Sequence, residues 1–196
     1  MYKAAPMRRH IFPKAYADFV ARLRVFLGFT MIAAFAYFSH PSVISLAIGL
    51  PISICGLALR AWAAGHLCKN QMLAESGPYA FTRNPLYLGT LIAALGFATA
   101  ARSVALAIVF TVVFLLVYFP AIELEEQHLR AILPGYDAYA ARVPLIAPRF
   151  PGSGGPAFRA PQRFCFAQYR KNREYEALLA WCVAAAWLVA RAALAF

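Results

Sequence analysis

Acidic side chains are scarce in this sequence: eight Asp and Glu stand against nineteen Lys and Arg among 196 residues. Charge of both signs is thin, at 14% of residues, where a soluble domain carries about a quarter. Cysteine is rare too. Cys55, Cys68, Cys165 and Cys182 show no Cys-x-x-Cys spacing, which argues against both a zinc site and a disulfide framework. No long internal repeat is present. What the chain has in excess is apolar surface: 62% of residues are hydrophobic and the mean hydropathy is +0.61. That composition excludes an ordinary soluble domain and predicts an integral membrane protein. A net charge of +11 would suit nucleic acid, but the cations collect beside the apolar runs, as orientation in a bilayer requires. No nucleic-acid partner is expected, and no metal.

Five segments are apolar enough to predict crossings, each of which takes about 20 helical residues. They run from Phe19 to Phe38, Val43 to His66, Leu86 to Ala101, Val104 to Ile122 and Ala177 to Phe196. The third is short. Small residues, including Gly49, Gly56, Gly65, Gly89 and Gly96, would let helices approach closely. The predicted fold is an all-α, polytopic membrane helix bundle of about five transmembrane helices. Lys3, Arg8, Arg9 and Lys14 precede the first span, the hairpin Ser39–Ser42 carries no cation, and Arg130 to Arg173 crowd the last long connection. This bias predicts a cytoplasmic N-terminus and a cytoplasmic working surface. Ala34-Phe35-Ala36 also fits a leader-cleavage pattern, but the basic region before it is long, and its removal would misplace the other loops.

The chain is expected to form one membrane domain over residues 1–196, with an N-terminal helical hairpin at 1–70, a core at 71–147, an interfacial loop at 148–176 and a last transmembrane helix at 177–196. The 148–176 loop breaks at Pro151-Gly152-Ser153-Gly154-Gly155-Pro156. Phe158, Phe164, Phe166 and Tyr169 then alternate with Arg159, Arg163, Arg170, Lys171 and Arg173. Between two spans such a stretch is expected in the headgroup layer, against membrane lipids.

Two clusters carry chemistry. Gly77-Pro78-Tyr79-Ala80-Phe81-Thr82-Arg83-Asn84-Pro85-Leu86-Tyr87-Leu88-Gly89 leads into the third span. Gly77-Pro78 marks a turn. Asn84 can cap a helix, with Pro85 at the first helical position, and such a helix start offers N–H groups to an anionic ligand group. A purely structural helix start is the alternative. In the second cluster Glu123, Glu125 and Glu126 leave the bilayer on a helix, where carboxylates are costly and often functional. Glu126 and Arg130 could simply pair at i,i+4. Tyr136, Tyr139 and Val143 share one face of a short helix, suited to packing.

Together these clusters resemble the isoprenylcysteine carboxyl methyltransferase and phospholipid methyltransferase families of membrane enzymes. Gly77 to Gly89 is similar to their GPY-x-x-x-RHP-x-Y-x-G stretch. Glu125, Glu126, Leu129, Tyr136, Tyr139, Arg142 and Val143 are similar to a Glu-Glu-x-x-Leu helix end followed by Tyr-x-x-Tyr-x-x-Arg-Val. The resemblance implies S-adenosylmethionine as cofactor, residues 71–147 as its binding core, and a lipid-like or other small hydrophobic acceptor. By position, Gln71, Met72, Leu73, Ala74 and Tyr79 would line the cofactor. Asn84, Pro85, Leu86 and Tyr87 would meet it at the helix start, and Glu125 would be its acidic contact. Two departures matter. Asn84 replaces the family's usual His and cannot titrate near neutral pH. Ala121 stands where prenylcysteine enzymes carry a substrate-gripping Arg. No catalytic residue follows directly. Glu126 and His128 are candidates to take a proton from an amine acceptor, and Arg173 to meet a substrate carboxylate. An NADPH-dependent reductase of the sterol type and a non-catalytic lipid-binding or scaffold protein are the rival readings.

Overall fold

The computed structural model describes residues 14–69, 71–149 and 163–194. Among them there is no strand. The elements, in order, are α1 (Lys14–Phe38), α2 (Val43–His66), a 3-10 turn (Gly77–Ala80), α3 (Pro85–Ala100), α4 (Val104–Val113), a π-helical turn (Phe114–Tyr118), α5 (Phe119–Ile132), α6 (Tyr136–Arg142), α7 (Phe166–Lys171) and α8 (Tyr175–Ala193). Among the described residues three helices are long and apolar enough to cross a bilayer: α2, α8, and the continuous rod Val104–Ile132 made of α4, the π turn and α5. The chain is therefore an all-helical membrane protein. The other two predicted crossings are shorter, comprising α3 and the apolar part of α1, Phe26–Phe38. Helix α3 is closed early by a tight turn in which Arg102 takes a positive φ of 52°. Beyond the predicted end of the fourth span at Ile122 the helix continues ten residues to Ile132, so its carboxylates leave the apolar zone on the same rod, as the sequence predicts. Residues 1–13 and 150–162, with Arg159, Phe158 and the Gly-Pro break, lie outside the described residues.

Local chemistry explains the helix boundaries. Ser42 and Ser45 form a reciprocal capping box at the start of α2, satisfying donors that a helix N-terminus leaves orphaned. Ser103 accepts from the Leu106 N–H to start α4. Pro120 lacks an N–H for the carbonyl one turn earlier, and the Tyr16 hydroxyl donates to that carbonyl, of Leu116, at 2.9 Å. This bond ties α1 to the rod beside the π turn.

Helices α2 and α3 form the tightest pair, through a seam of small residues. A methyl group added at Gly56 would lie 2.5 Å from the Ala93 nitrogen and the Gly89 carbonyl oxygen, and one at Gly89 would lie 2.6 Å from the Gly56 oxygen. These obstacles are backbone atoms that cannot swing aside. Around the far end of this pair Ala98, Ala100, Ala101, Leu106 and Leu188 make a core, with Phe35 and Phe97 packed edge to face against it. Trp181 donates to Ser53 Oγ at 2.8 Å, holding α8 on α2. Replacing Gly56 by Ala is expected to lower stability by about 1–3 kcal/mol, the cost of overpacking. Thermal unfolding in detergent checks this, and an unchanged melting temperature would refute the close approach.

Candidate active site

The site forms where α2 ends, α3 begins, and the rod leaves the apolar zone. The loop of residues 67–84 is zipped to the segment after α5. Tyr139 donates to the Tyr79 carbonyl at 2.8 Å, entirely buried. The Arg83 N–H bonds Pro144 O at 2.9 Å, Thr82 Oγ1 bonds Leu145 O, and the Arg149 N–H bonds Phe81 O. Tyr136, Tyr139, Val143 and Leu133 pack into one cluster with Leu73 and Leu129, the packing that their shared face suggests, and both tyrosines also line the adjoining cleft. The described residues between α2 and α3 are thereby fixed with only the 3-10 turn Gly77–Ala80 as regular secondary structure.

A cleft, partly open to solvent, lies between these elements. Met72, Leu73, Ala74, Tyr79, Asn84, Pro85, Leu86, Tyr87 and Glu125 all line it. Gln71 does not. It is exposed, in a turn where its N–H bonds Cys68 O. Leu67, Cys68 and Lys69 at the exit of α2, and Leu129 and Leu133 beyond Glu125, also line the cleft; of these the sequence marks only Leu129, as part of the second motif and not as a cofactor contact. Leu129 and Leu133 follow Glu125 at four-residue steps, a spacing that puts side chains on one helical face. The three residues after α2 carry no comparable signal.

Asn84 departs from its expected role. It occupies the N-cap position of α3, but its side chain makes no cap bond. Instead Nδ2 donates to Leu145 O at 3.1 Å. The carbonyl after α6 competes successfully for the amide, which leaves the first turn of α3 without side-chain capping at the wall of the cleft. Across from it Glu125 accepts from the Tyr87 hydroxyl at 3.1 Å, and the Tyr87 ring meets Tyr118 of the π turn edge to face, at 6.0 Å.

The three catalytic candidates are placed differently. Glu126 is largely buried. Arg83 Nε lies 2.9 Å from its Oε1, the Tyr136 hydroxyl donates to it at 3.1 Å, and Arg130 lies 3.8 Å away. The i,i+4 pair with Arg130 thus exists but is the longer of its two ion pairs, and Arg130 also pairs with Asp137. His128 is exposed and not among the residues lining the cleft. Arg173 is exposed, also outside the cleft lining, with a left-handed φ of 57° and an ion pair to Glu176.

An ion pair behind the cleft was not anticipated. Arg60 of α2 binds Glu174 with two bonds, of 2.6 and 3.1 Å, and also reaches Thr90 and the Leu86 carbonyl of α3. Glu174 is only 7% exposed. Near the end of an apolar span, a lone arginine such as Arg60 can simply snorkel to water. Its partner lies 114 residues away, a separation that no local pattern reveals.

Burial pushes the Tyr79, Tyr136 and Tyr139 hydroxyls well above the ordinary tyrosine range. Neighbouring Glu125 and Glu174 reinforce this at Tyr79, and Glu126 does so at Tyr136. All three stay neutral and able to donate. Because the folded state holds these protons more tightly, their contribution to stability is complete below the unfolded tyrosine pKa of about 10 and is lost as pH rises above it. Phenolate absorbance is expected to show these groups titrating only as the fold opens. Ordinary titration of all the tyrosines in the folded protein would contradict it.

Comparison with known proteins follows the same region. Residues 23–134 match the phospholipid methyltransferase family. The cobalt-zinc-cadmium resistance protein CzcN of Cupriavidus metallidurans is 34% identical over 106 residues, covering 51% of this chain and 49% of that protein. The nickel-cobalt-cadmium resistance protein NccN of Alcaligenes xylosoxydans xylosoxydans is 33% identical over 92 residues, covering 46% and 43%. The chain thus spans about half the length of these relatives. No solved structure matches it.

Proposed function

This chain belongs to the phospholipid methyltransferase family, and from that membership we propose that it transfers a methyl group from S-adenosylmethionine to a lipid-like or other small hydrophobic acceptor at the cytoplasmic membrane face. One observation carries the reading: a single cleft brings together a carboxylate, a helix start without a side-chain cap, and apolar and aromatic walls. The donor set fits the cofactor. Glu125 suits its ammonium group or ribose hydroxyls. The first-turn N–H groups of α3 suit its carboxylate. Leu67, Leu129 and Tyr79 suit adenine and the sulfonium. When bound, the cofactor supplies an electrophilic methyl group.

The protein's part is alignment and exclusion of water. Leu73, Leu129 and Leu133 dry one wall of the cleft, and Tyr87 orients Glu125. Glu126 is engaged by Arg83 and Tyr136, and His128 lies outside the lining. This favours an acceptor that arrives already deprotonated, such as a carboxylate or thiolate. Arg173, paired with Glu176, gains no support as a grip on the substrate. The carboxylate in the cleft favours a cationic cofactor over the phosphates of NADPH, and hence methyl transfer over reduction. The names of the relatives concern resistance to cobalt, zinc, cadmium and nickel. Among the described residues no group of three His, Cys, Asp or Glu is gathered to hold a metal ion.

Calorimetric titration of the detergent-solubilised protein with S-adenosylmethionine, and with NADPH in parallel, tests the reading. Saturable binding of the first alone is the expected result. Binding of NADPH alone would move the chain to reduction, and binding of neither would favour a non-catalytic role.

A further inference from the structure

Residues 163–176 form a strap with two unlike faces. One face is bonded to the end of α2. The Cys165 N–H bonds Gly65 O at 2.9 Å. Asn172 Nδ2 donates to Ala64 O at 2.8 Å and to Leu67 O at 2.9 Å. Phe164 lies against Gly65, where a Cβ would collide with its ring, and meets His66 edge to face. Glu174 completes the attachment through Arg60. The other face is free of such bonds. Phe166 and Tyr169 stack at 5.6 Å, with Phe166 63% exposed. Arg163, Arg170 and Lys171 are exposed, and among the described residues no ion pair engages them.

Chain geometry sets the depth of this face. Lys171 is four residues before Tyr175, where the membrane-crossing helix α8 starts. Four residues reach at most about 14 Å, so α7 cannot leave the vicinity of the headgroup layer. Tyr175, Leu178 and Leu179 at the start of α8 are exposed apolar side chains as well. Exposed cations beside such a surface complement phosphate-bearing anionic headgroups.

We propose that residues 163–173 are a binding site for anionic phospholipid headgroups, and that lipid bound there holds the α2 exit that walls the cleft. Leu67, Cys68 and Lys69 both line the cleft and adjoin the carbonyls that the strap grips. Leaflet charge would thus be communicated to the site through Asn172, Cys165 and Phe164. The proposal rests on the membrane fold and not on methyl transfer.

Hydrogen–deuterium exchange of the full chain in nanodiscs tests it, comparing phosphatidylcholine alone with discs containing phosphatidylglycerol. Phosphatidylglycerol is expected to slow exchange over 163–176 and over 64–69 by about fivefold for each cation engaged. The Arg170→Gln/Lys171→Gln variant is expected to lose that difference. Both side chains are exposed, so the fold is retained, and exchange in phosphatidylcholine discs verifies this. Arg102→Gln, an exposed cation elsewhere, should keep the full difference. Equal exchange in both discs, survival of the difference in the double variant, or its loss in Arg102→Gln would each overturn the proposal.

Discussion

Glu174→Gln is expected to lower the unfolding free energy by about 2–4 kcal/mol, slightly below the usual cost of breaking a buried ion pair because Arg60 keeps some solvent contact. The substitution preserves size and removes only charge. It leaves the Arg60 guanidinium among α2, α3 and the start of α8 with no carboxylate. The pair closes three elements at once: Arg60 sits on α2, its Nη1 also touches α3 at Thr90 and Leu86, and Glu174 leads into α8. Arg60→Leu should cost a similar amount by stranding Glu174. The double variant Arg60→Leu/Glu174→Leu should recover at least half of the loss, since an apolar pair of suitable volume can replace a buried ion pair at little net cost. Denaturant or thermal unfolding in one detergent reads all three. If the double variant is as unstable as the sum of the singles, the two residues are not coupled.

Glu125→Ala is expected to weaken cofactor binding by roughly 10- to 150-fold, the range for loss of a charge-assisted hydrogen bond, while changing stability little. Glu125 is exposed to the cleft, and its bond from Tyr87 is a surface one. Tyr87→Phe should weaken binding less, because it only releases the carboxylate's orientation. Calorimetry checks both, and unchanged affinity in Glu125→Ala would remove that residue from the site. Gly56→Ala differs from these two, because it acts through helix separation and not through charge.

Much of the site's wall was legible in sequence because it lies in two contiguous motifs. Met72 to Ala74, Tyr79 and Asn84 to Tyr87 sit on one stretch, and Glu125 lies on a helix whose carboxylates stand out against an apolar span. The errors have physical causes. Asn84 was expected to cap α3, but a carbonyl 61 residues away bonds its amide, and sequence alone cannot rank a local acceptor against a distant one. The continuation of the fourth span as a helix beyond Ile122, by contrast, was legible, since carboxylates interrupt hydropathy without interrupting backbone hydrogen bonding.

Composition and period by themselves determined that this is an all-helical membrane protein. Transfer of apolar residues into lipid depends on side-chain identity, and a lipid environment leaves helices as the way for such segments to satisfy their backbones. Capping serines, the proline at the start of α3 and the small residues of the α2–α3 seam were local matters of the same kind. Only the tertiary structure decided that Arg60 meets Glu174, that Arg83 and Tyr136 occupy Glu126, and that the strap grips the end of α2. Each of these rests on which carbonyl or carboxylate comes within about 3 Å, a distance fixed by helix packing and left open by the order of residues along the chain.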